Sequence, residues 1–308
     1  MDSPLARVIL AVLSGYVIIL VLMTAYDWIK TEYPQPPAKV EDTAGVRHAF
    51  YHAQAEASVK RYFQLAPPKR EAIKKNLATQ LRSMDQWLNA MDHAAYQVIC
   101  LGELHEEATR TFLSRSFFAE FSIDTLMLEA TAETLKGIRK RLNSGRRYFP
   151  LLGADSLAIM RAAEVRNPQI RICGIEETER QAKREPGQPA SRDRAIAANF
   201  WRDFIPGERH VILFGALHCT NEKNWLFHNL RSQADTFLKK GMLNVCVVGE
   251  HQNGMLEAFV FFLDEIGLAP TTFVIDATHT LHPWIYKVFQ ELDHKIMRKY
   301  AALIVFRS

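Results

Sequence analysis

Short apolar runs alternate with helical patterns from residue 97 onwards, and this alternation most strongly limits the folds open to the chain. Runs rich in Val, Ile, Leu or Phe are predicted to be strands at 97–101, 125–128, 170–175, 210–214, 243–248, 272–275 and 302–306. Uniformly apolar strands are typical of a sheet buried on both faces. The pattern therefore predicts an α/β fold with a mostly parallel central sheet flanked by helices on both faces.

Helices are predicted between these strands and ahead of the first one. The segments with helical spacing inside the sheet region are 106–121, 132–143, 156–166, 193–204, 222–238, 256–266 and 283–300. Two amphipathic helices are predicted earlier, at 46–64 and 68–91. We expect these two to pack on the domain as its first layer, since a coiled coil would need a longer heptad run.

The first 30 residues contain an almost uninterrupted apolar segment, residues 8–28, with no charge before Asp27. About 20 apolar residues are enough to cross a bilayer as a helix. The sequence therefore predicts a transmembrane signal anchor at 1–30 and a single-pass membrane protein. The flanking charges, Arg7 and Lys30, leave its orientation open, although we favour a soluble domain outside the cytoplasm.

The remaining chain is predicted to form one domain behind a short linker. Prolines at positions 34, 36 and 37 keep the linker at 31–42 extended. The domain is expected over 43–308, with a helical lead-in at 43–95 and the sheet core at 96–308.

Two of the predicted strands end in the same pattern, a glycine followed three residues later by a histidine. The first pattern runs from Gly102 to His105, and the second runs from Gly215 to His218. In open α/β sheets, ligands bind at the carboxyl ends of the strands. The repeated pattern therefore predicts one site built from two neighbouring strand ends.

The predicted catalytic residues are Glu103, His105, Glu129 and His218, which all follow predicted strands. A carboxylate beside a histidine fixes its tautomer and raises its basicity, as acid–base catalysis requires. The same residue types bind divalent metals, with His105 and His218 as the ligands in that alternative. Other acids and histidines near strand ends are interpreted as structural: Glu176, Glu250, His251, Asp276 and His279.

Two arginines are candidates for substrate binding. Arg110 falls in the first turns of the helix after the first motif, where a solvated position is an equal alternative. Arg192 opens the helix that leads to the second motif, and it could clamp an anionic group, with Arg194 as the alternative for this role. Its neighbour Asp193 is interpreted as an N-cap or first-turn residue.

Composition and missing motifs exclude several classes of protein. A net charge of +4 and a pI near 8.8 give no reason to expect nucleic acid as a partner. The four cysteines contain no CxxC pair, and we interpret Cys100, Cys173 and Cys246 as small buried hydrophobes and Cys219 as a bystander. Residues 103–107 do not form the HExxH motif, and the chain has no GxSxG motif or P-loop.

Four segments together resemble a known superfamily. They are GELH ending at His105, LMLEA around Glu129, RDRAIAANF from Arg192, and FGALH ending at His218. This ordered set resembles the erythromycin esterases, the ChaN-like haem-binding proteins and the TIKI/TraB-type proteins. The resemblance covers the chain from about Gln97 to the last strand. It implies a sheet flanked by helices, with the site at the strand ends.

The branches of this superfamily imply different chemistries. Resemblance to the esterases implies a hydrolase in which a histidine activates water. Resemblance to the TIKI branch implies a metal-dependent peptidase, and resemblance to the ChaN branch implies haem binding. A divalent metal and haem are thus the two cofactors under consideration, with a small molecule, a peptide or haem as the ligand.

Our leading hypothesis is a membrane-anchored hydrolase in which His105 is the general base on water. Glu103 or Glu129 would orient this base, and His218 would be a second acid–base group or a metal ligand. The alternatives are a haem-binding or uptake protein and a non-catalytic anchored scaffold.

Overall fold

The computed structural model describes residues 43–94, 96–143, 154–183, 191–276, 280–289 and 298–307. The chain divides into two units, 1–50 and 51–308, and the sheet belongs to the second. The predicted anchor at 1–30 and the linker at 31–42 lie outside the described residues. Within these described ranges, no helix is both long enough and apolar enough to cross a bilayer.

All seven predicted strands are present. They are β1 (Val98–Glu103), β2 (Thr125–Leu128), β3 (Arg171–Gly174), β4 (His210–Gly215), β5 (Met242–Gly249), β6 (Thr272–Asp276) and β7 (Ala302–Phe306). They form one sheet in the order β3-β2-β4-β1-β5-β7-β6. Every neighbouring pair is parallel except β6 and β7, which are antiparallel. The mostly parallel α/β fold is confirmed.

The strands bury both of their faces, as their continuous apolar sequences require. In β1, Val98 and Cys100 belong to one hydrophobic cluster, while Ile99 and Leu101 belong to another. This alternation follows from the two-residue period of a strand. Helices supply the remaining side chains of both clusters, so the sheet is covered on each face.

The helices of the described chain follow the order of the strands. Three precede β1: α1 (Thr43–Phe63), α2 (Pro67–Gln80) and α3 (Met84–His93). Those between β1 and β4 are α4 (Glu107–Phe112), α5 (Phe118–Glu120), α6 (Ala132–Asn143), α7 (Ala154–Arg166), α8 (Glu179–Ala182) and α9 (Ser191–Asp203). The others are α10 (Leu226–Gln233), α11 (Thr236–Lys240), α12 (Gly254–Glu265) and α13 (Pro283–Val288).

The prediction of a single helix at 68–91 was wrong. The first helix ends at Gln80, and Ser83 caps a second one. The Ser83 side chain accepts a hydrogen bond from the Gln86 backbone, while the Gln86 side chain accepts one from the Ser83 backbone. This reciprocal pair is a capping box and starts a new helix. The intervening Arg82 pairs with Val274 of β6 in an isolated antiparallel bridge, so the break also covers a sheet edge.

Three other predicted helices differ from the structure. The helix at 106–121 contains a π-helical turn at Leu113–Phe117. The one at 222–238 becomes α10 and α11, because the Asp235 side chain accepts a hydrogen bond from the Leu238 backbone and caps a new helix. The helix predicted at 283–300 stops at Val288 in α13, and Tyr300 is not helical.

The sheet topology creates a crevice between β1 and β4. From β1 the chain crosses to β2 on one side, and from β4 it crosses to β5 on the opposite side. Phe117, in the connection after β1, and Leu226, in the connection after β4, belong to the hydrophobic clusters on opposite faces of the sheet. The two connections therefore leave on opposite faces, which opens a crevice at the carboxyl ends of these neighbouring strands. The two Gly-x-x-His motifs meet at this point.

Candidate active site

A cleft of about 510 Å³ opens at the carboxyl ends of β1 and β4. Glu103, the last residue of β1, is in register with Gly215, the last residue of β4. The four predicted catalytic residues and one predicted substrate-binding arginine all line this cleft: Glu103, His105, Glu129, His218 and Arg192. The structure therefore brings together residues that lie far apart in the sequence.

Glu103 is buried at the floor of the cleft and is held by Arg110. The Arg110 Nε donates to both carboxylate oxygens, at 2.9 and 3.1 Å. Burial acts to raise the pKa of Glu103, but hydrogen bonds from His105 and Arg110, with the charge of Arg110, outweigh it and lower the pKa below its ordinary value. Glu103 is therefore a carboxylate at neutral pH, and Arg110 anchors it.

His105 lies between two carboxylates. Its Nδ1 is 3.1 Å from Glu103 Oε1, and its Nε2 is 3.3 Å from Glu129 Oε2. The hydrogen bond to Glu103 raises the pKa of His105; burial and Arg110 oppose this effect, and the charge of Glu129 adds to it. Arg110 Nη2 is 2.9 Å from the same Nδ1 and would donate to it in the other tautomer.

The backbone at His105 adopts an uncommon conformation. Its φ is +56°, in the left-handed region that residues with a side chain seldom occupy. This conformation turns the chain sharply after β1, and the His105 side chain is 47% exposed. Residues held in such conformations cluster at functional sites, because the surrounding structure must hold them there.

Gly215 gives the His105 ring its space. A Cβ atom at this position would lie 2.7 Å from His105 Nε2, closer than real contacts allow. The backbone N–H of Gly215 also donates to Glu129 Oε2 at 3.0 Å. The glycine of the second motif thus positions both the histidine of the first motif and its second carboxylate.

Arg192 connects the carboxylates on the other side of the cleft. It binds both oxygens of Glu176, at 3.0 and 2.7 Å, and donates to Glu129 Oε1 at 2.7 Å. These hydrogen bonds with Glu176 and Glu129 raise the pKa of Arg192 further above its ordinary value. Because its guanidinium is paired with both glutamates, Arg192 positions these carboxylates, and its role as an anion clamp stays a prediction.

His218 is buried, and both of its ring nitrogens have partners. Its Nδ1 is 2.8 and 3.0 Å from the two oxygens of Asp193, and its Nε2 is 3.0 Å from Arg192 Nη1. The ring packs edge-on against Phe214 and Trp225. In the neutral tautomer that fits these partners, Nδ1–H donates to Asp193 and Nε2 accepts from Arg192.

Asp193, Glu176 and Gly215 also belong to the site, although the sequence did not predict them as site residues. Asp193 was interpreted as a helix N-cap or first-turn residue, and Glu176 as structural. The signal for Asp193 was the Arg-Asp pair that opens α9 immediately before the strand carrying the second motif. Nothing in the sequence distinguishes Glu176 from the neighbouring Glu177, because only the fold brings it to Arg192.

The other polar strand-end residues have partners elsewhere. Glu250 is 3.0 Å from Arg307, and Asp276 is 3.2 Å from Arg82. His251 contacts Glu250 at 3.3 Å. These contacts agree with the structural interpretation of Glu250, His251 and Asp276. His279 lies outside the described residues.

In both predicted metal ligands one ring nitrogen lies beside an arginine, whereas His105 Nε2 faces the Glu129 carboxylate. His218 Nε2 and His105 Nδ1 each lie within 3.0 Å of an arginine side chain. A cation at either nitrogen would face the positive charge of a guanidinium group. Among the residues that the structure describes, no cluster of three or more His, Cys, Asp or Glu could hold a metal ion. Binding of haem iron by the ring of His105 or His218 would likewise require breaking a contact with a charged side chain.

Cys100 and Cys219 form a disulfide, with their Cα atoms 5.5 Å apart. The interpretations of Cys100 as a simple buried hydrophobe and of Cys219 as a bystander were therefore wrong. Because Cys219 follows His218 directly, the disulfide ties the turn that carries this histidine to β1. Gly102 allows the close packing, since a Cβ there would lie 2.9 Å from the Ala216 Cα atom.

The disulfide predicts a definite labelling pattern. Iodoacetamide added to the denatured, unreduced chain should modify Cys173 and Cys246 only, because Cys100 and Cys219 are bonded to each other. Prior reduction should allow modification of all four cysteines. Mass spectrometry of the peptides measures both states. Equal labelling of Cys100 before and after reduction would contradict the pairing.

No protein-family model and no curated protein matches the chain. A solved protein from Bacillus cereus is similar at 9% identity and a TM-score of 0.49, over 77% of this chain and 97% of that one. RRSP, a MARTX toxin effector domain from Vibrio vulnificus, is 13% identical with a TM-score of 0.36, over 72% of this chain and 51% of its own. FtsY from Mycoplasma mycoides is 13% identical with a TM-score of 0.29, over 82% and 98%. Similarities this distant assign neither a reaction nor a residue to this chain.

Proposed function

We propose that the chain is a membrane-anchored hydrolase whose active site is the cleft between β1 and β4. The observation that carries this proposal is the position of His105 between the Glu103 and Glu129 carboxylates, on a strained backbone and with a half-exposed ring. A histidine that serves only to fill space needs neither paired carboxylates nor a left-handed backbone. The resemblance to esterases, drawn from the sequence, supports the same reaction class.

The proposed mechanism begins with the tautomer of His105. Glu103 accepts the Nδ1–H hydrogen bond, which leaves an unprotonated Nε2 on a ring that lines the cleft. Nε2 takes a proton from water as the water oxygen attacks the carbonyl carbon of an ester or amide. The imidazolium that forms lies between two carboxylates, and Glu129, 3.3 Å from Nε2, stabilises its charge.

The remaining polar residues hold this arrangement in place. Arg110 fixes Glu103, and Arg192 fixes Glu129 against Glu176. In the proposal, protonated His105 then delivers its proton to the leaving group, which completes the acid–base cycle. His218, held by Asp193, keeps Arg192 in position through its Nε2.

The proposal predicts how activity depends on pH. A general base must be unprotonated, so a raised His105 pKa places the rise of kcat/KM at a pH above about 6.5, the ordinary histidine value. Glu103→Gln removes the largest cause of that raised pKa while Arg110 continues to lower it. The rise should therefore move to lower pH in the variant. Initial rates from pH 5 to 9 measure this shift, and an unchanged midpoint would contradict the role of Glu103.

The membrane anchor and the side of the membrane belong to the same proposal. The apolar segment at 8–28 supports an anchor, and the Cys100–Cys219 disulfide is typical of an oxidising compartment outside the cytoplasm. A cysteine-accessibility or protease-protection assay on cells that express the full chain tests this topology. Protection of residues 51–308 from protease added outside would contradict it.

A further inference from the structure

Two leucines are exposed at the mouth of the cleft. Leu104 is 39% exposed and Leu217 is 58% exposed, and both line the cleft. The other large apolar side chains exposed in the described part of the chain do not line it: Phe63, Val165, Ile205 and Phe237. Single exposed apolar residues are ordinary, but two facing one polar cleft indicate a binding surface.

The two leucines occupy equivalent positions in the two motifs. Each directly precedes the motif histidine, Leu104 before His105 and Leu217 before His218. Trp225 also lines the cleft, where its ring packs against that of His218 with centroids 5.6 Å apart. The paired strand ends therefore place apolar surface on the turns that carry the histidines, beside the polar floor.

The charges of the cleft limit what this apolar surface can bind. Three carboxylates line the cleft, those of Glu103, Glu129 and Asp193, and Arg192 is the arginine among the lining residues. That arginine is itself paired with Glu129 and Glu176. The net negative charge of the cleft would therefore repel an anionic group. It would not repel an uncharged group attached to an aliphatic chain.

We propose that Leu104 and Leu217 bind the aliphatic acyl group of an uncharged ester or amide substrate. The acyl chain lies along the two leucines and Trp225, and its carbonyl carbon lies near His105. This inference rests on the proposed hydrolytic site and defines its substrate class. Since burial of each methylene is favourable, a longer acyl chain binds more tightly in such a surface.

The test compares p-nitrophenyl hexanoate with p-nitrophenyl acetate, using the full-length chain in detergent. We expect kcat/KM to favour hexanoate over acetate by about tenfold in the wild type. Leu104→Ser and Leu217→Ser should each lower this ratio by about threefold or more. Phe237→Ser, which removes an apolar side chain exposed outside the cleft, is the matched control and should leave the ratio unchanged. The esters partition into detergent to the same extent with every variant, so this effect cancels when the hexanoate-to-acetate ratios of the variants are compared.

A binding measurement separates this inference from the proposed reaction. Hexanamide and acetamide are titrated into the His105→Asn variant, and affinity is measured by saturation-transfer NMR. Hexanamide should bind about tenfold more tightly, and Leu217→Ser should reduce the difference. If the wild type hydrolyses neither ester but hexanamide still binds more tightly than acetamide, the proposed reaction is contradicted and the proposed binding surface is supported. If esters are hydrolysed with no preference for hexanoate and the amides bind equally, the binding surface is wrong and the reaction stands.

Discussion

Replacing His105 by asparagine is expected to lower kcat for ester hydrolysis by about 10³-fold, because the variant has no base to accept the proton of water. Asparagine tolerates the left-handed backbone that His105 adopts, so the turn after β1 should persist. The side chain is half-exposed, and its loss should change the melting temperature little. Steady-state kinetics and thermal unfolding of the same preparation separate chemistry from folding.

His251→Asn is the matched control for this experiment. His251 also follows a strand and also contacts a glutamate, but it is exposed and does not line the cleft. Its replacement should leave kcat unchanged within about twofold. Equal kcat values for His105→Asn and the wild type would contradict a catalytic role for His105.

Gly215→Ala is expected to lower kcat/KM by about 10²-fold with little loss of stability. The added Cβ would lie 2.7 Å from His105 Nε2, so the ring must shift away from residue 215, which disturbs its contact with Glu129. The Gly215 backbone has a φ of −54°, which alanine adopts without strain. The ring that must move is a partly exposed side chain, so the fold can accommodate the change while the base is displaced. Kinetics and denaturant unfolding measure the two effects.

Gly137→Ala provides the matched control at a glycine remote from the cleft. A Cβ at Gly137 meets no atom within 4 Å, and the residue lies inside helix α6. Alanine should leave kcat/KM unchanged and raise the free energy of unfolding by about 0.5–1 kcal/mol. A Gly215→Ala variant as active as Gly137→Ala would show that the ring of His105 need not stay against β4.

Strand positions were predictable because the information is local. An apolar run such as residues 210–214 is buried only in a strand that has both of its faces covered. These residues form β4 (His210–Gly215). The order of the strands was not predictable, because it depends on packing between segments far apart in the chain. The breaks at Ser83 and Asp235 were not predicted, because the helical spacing of apolar residues continues through both positions. Side-chain caps at Ser83 and Asp235 nevertheless start new helices there.

For the candidate site, the sequence predicted several of the residues but not the contacts between them. The repeated glycine and histidine marked Glu103, His105 and His218, because the ends of parallel strands meet at one edge. The contacts among these side chains depend on strand order, so the hydrogen bond that His218 donates to Asp193 was not predicted. The disulfide joins cysteines 119 residues apart, and spacing alone gave no reason to pair them.

The most direct test of the account is hydrolysis in water enriched in ¹⁸O. The full-length chain is treated with a chelator and incubated with p-nitrophenyl hexanoate and with an uncharged acyl p-nitroanilide, and the carboxylic acid products are analysed by mass spectrometry. The account predicts one ¹⁸O atom incorporated per bond cleaved, at a rate that falls about 10³-fold in His105→Asn. Absence of labelled product from both substrates, together with a Soret band when haem is added, would contradict the hydrolase and favour a haem-binding protein.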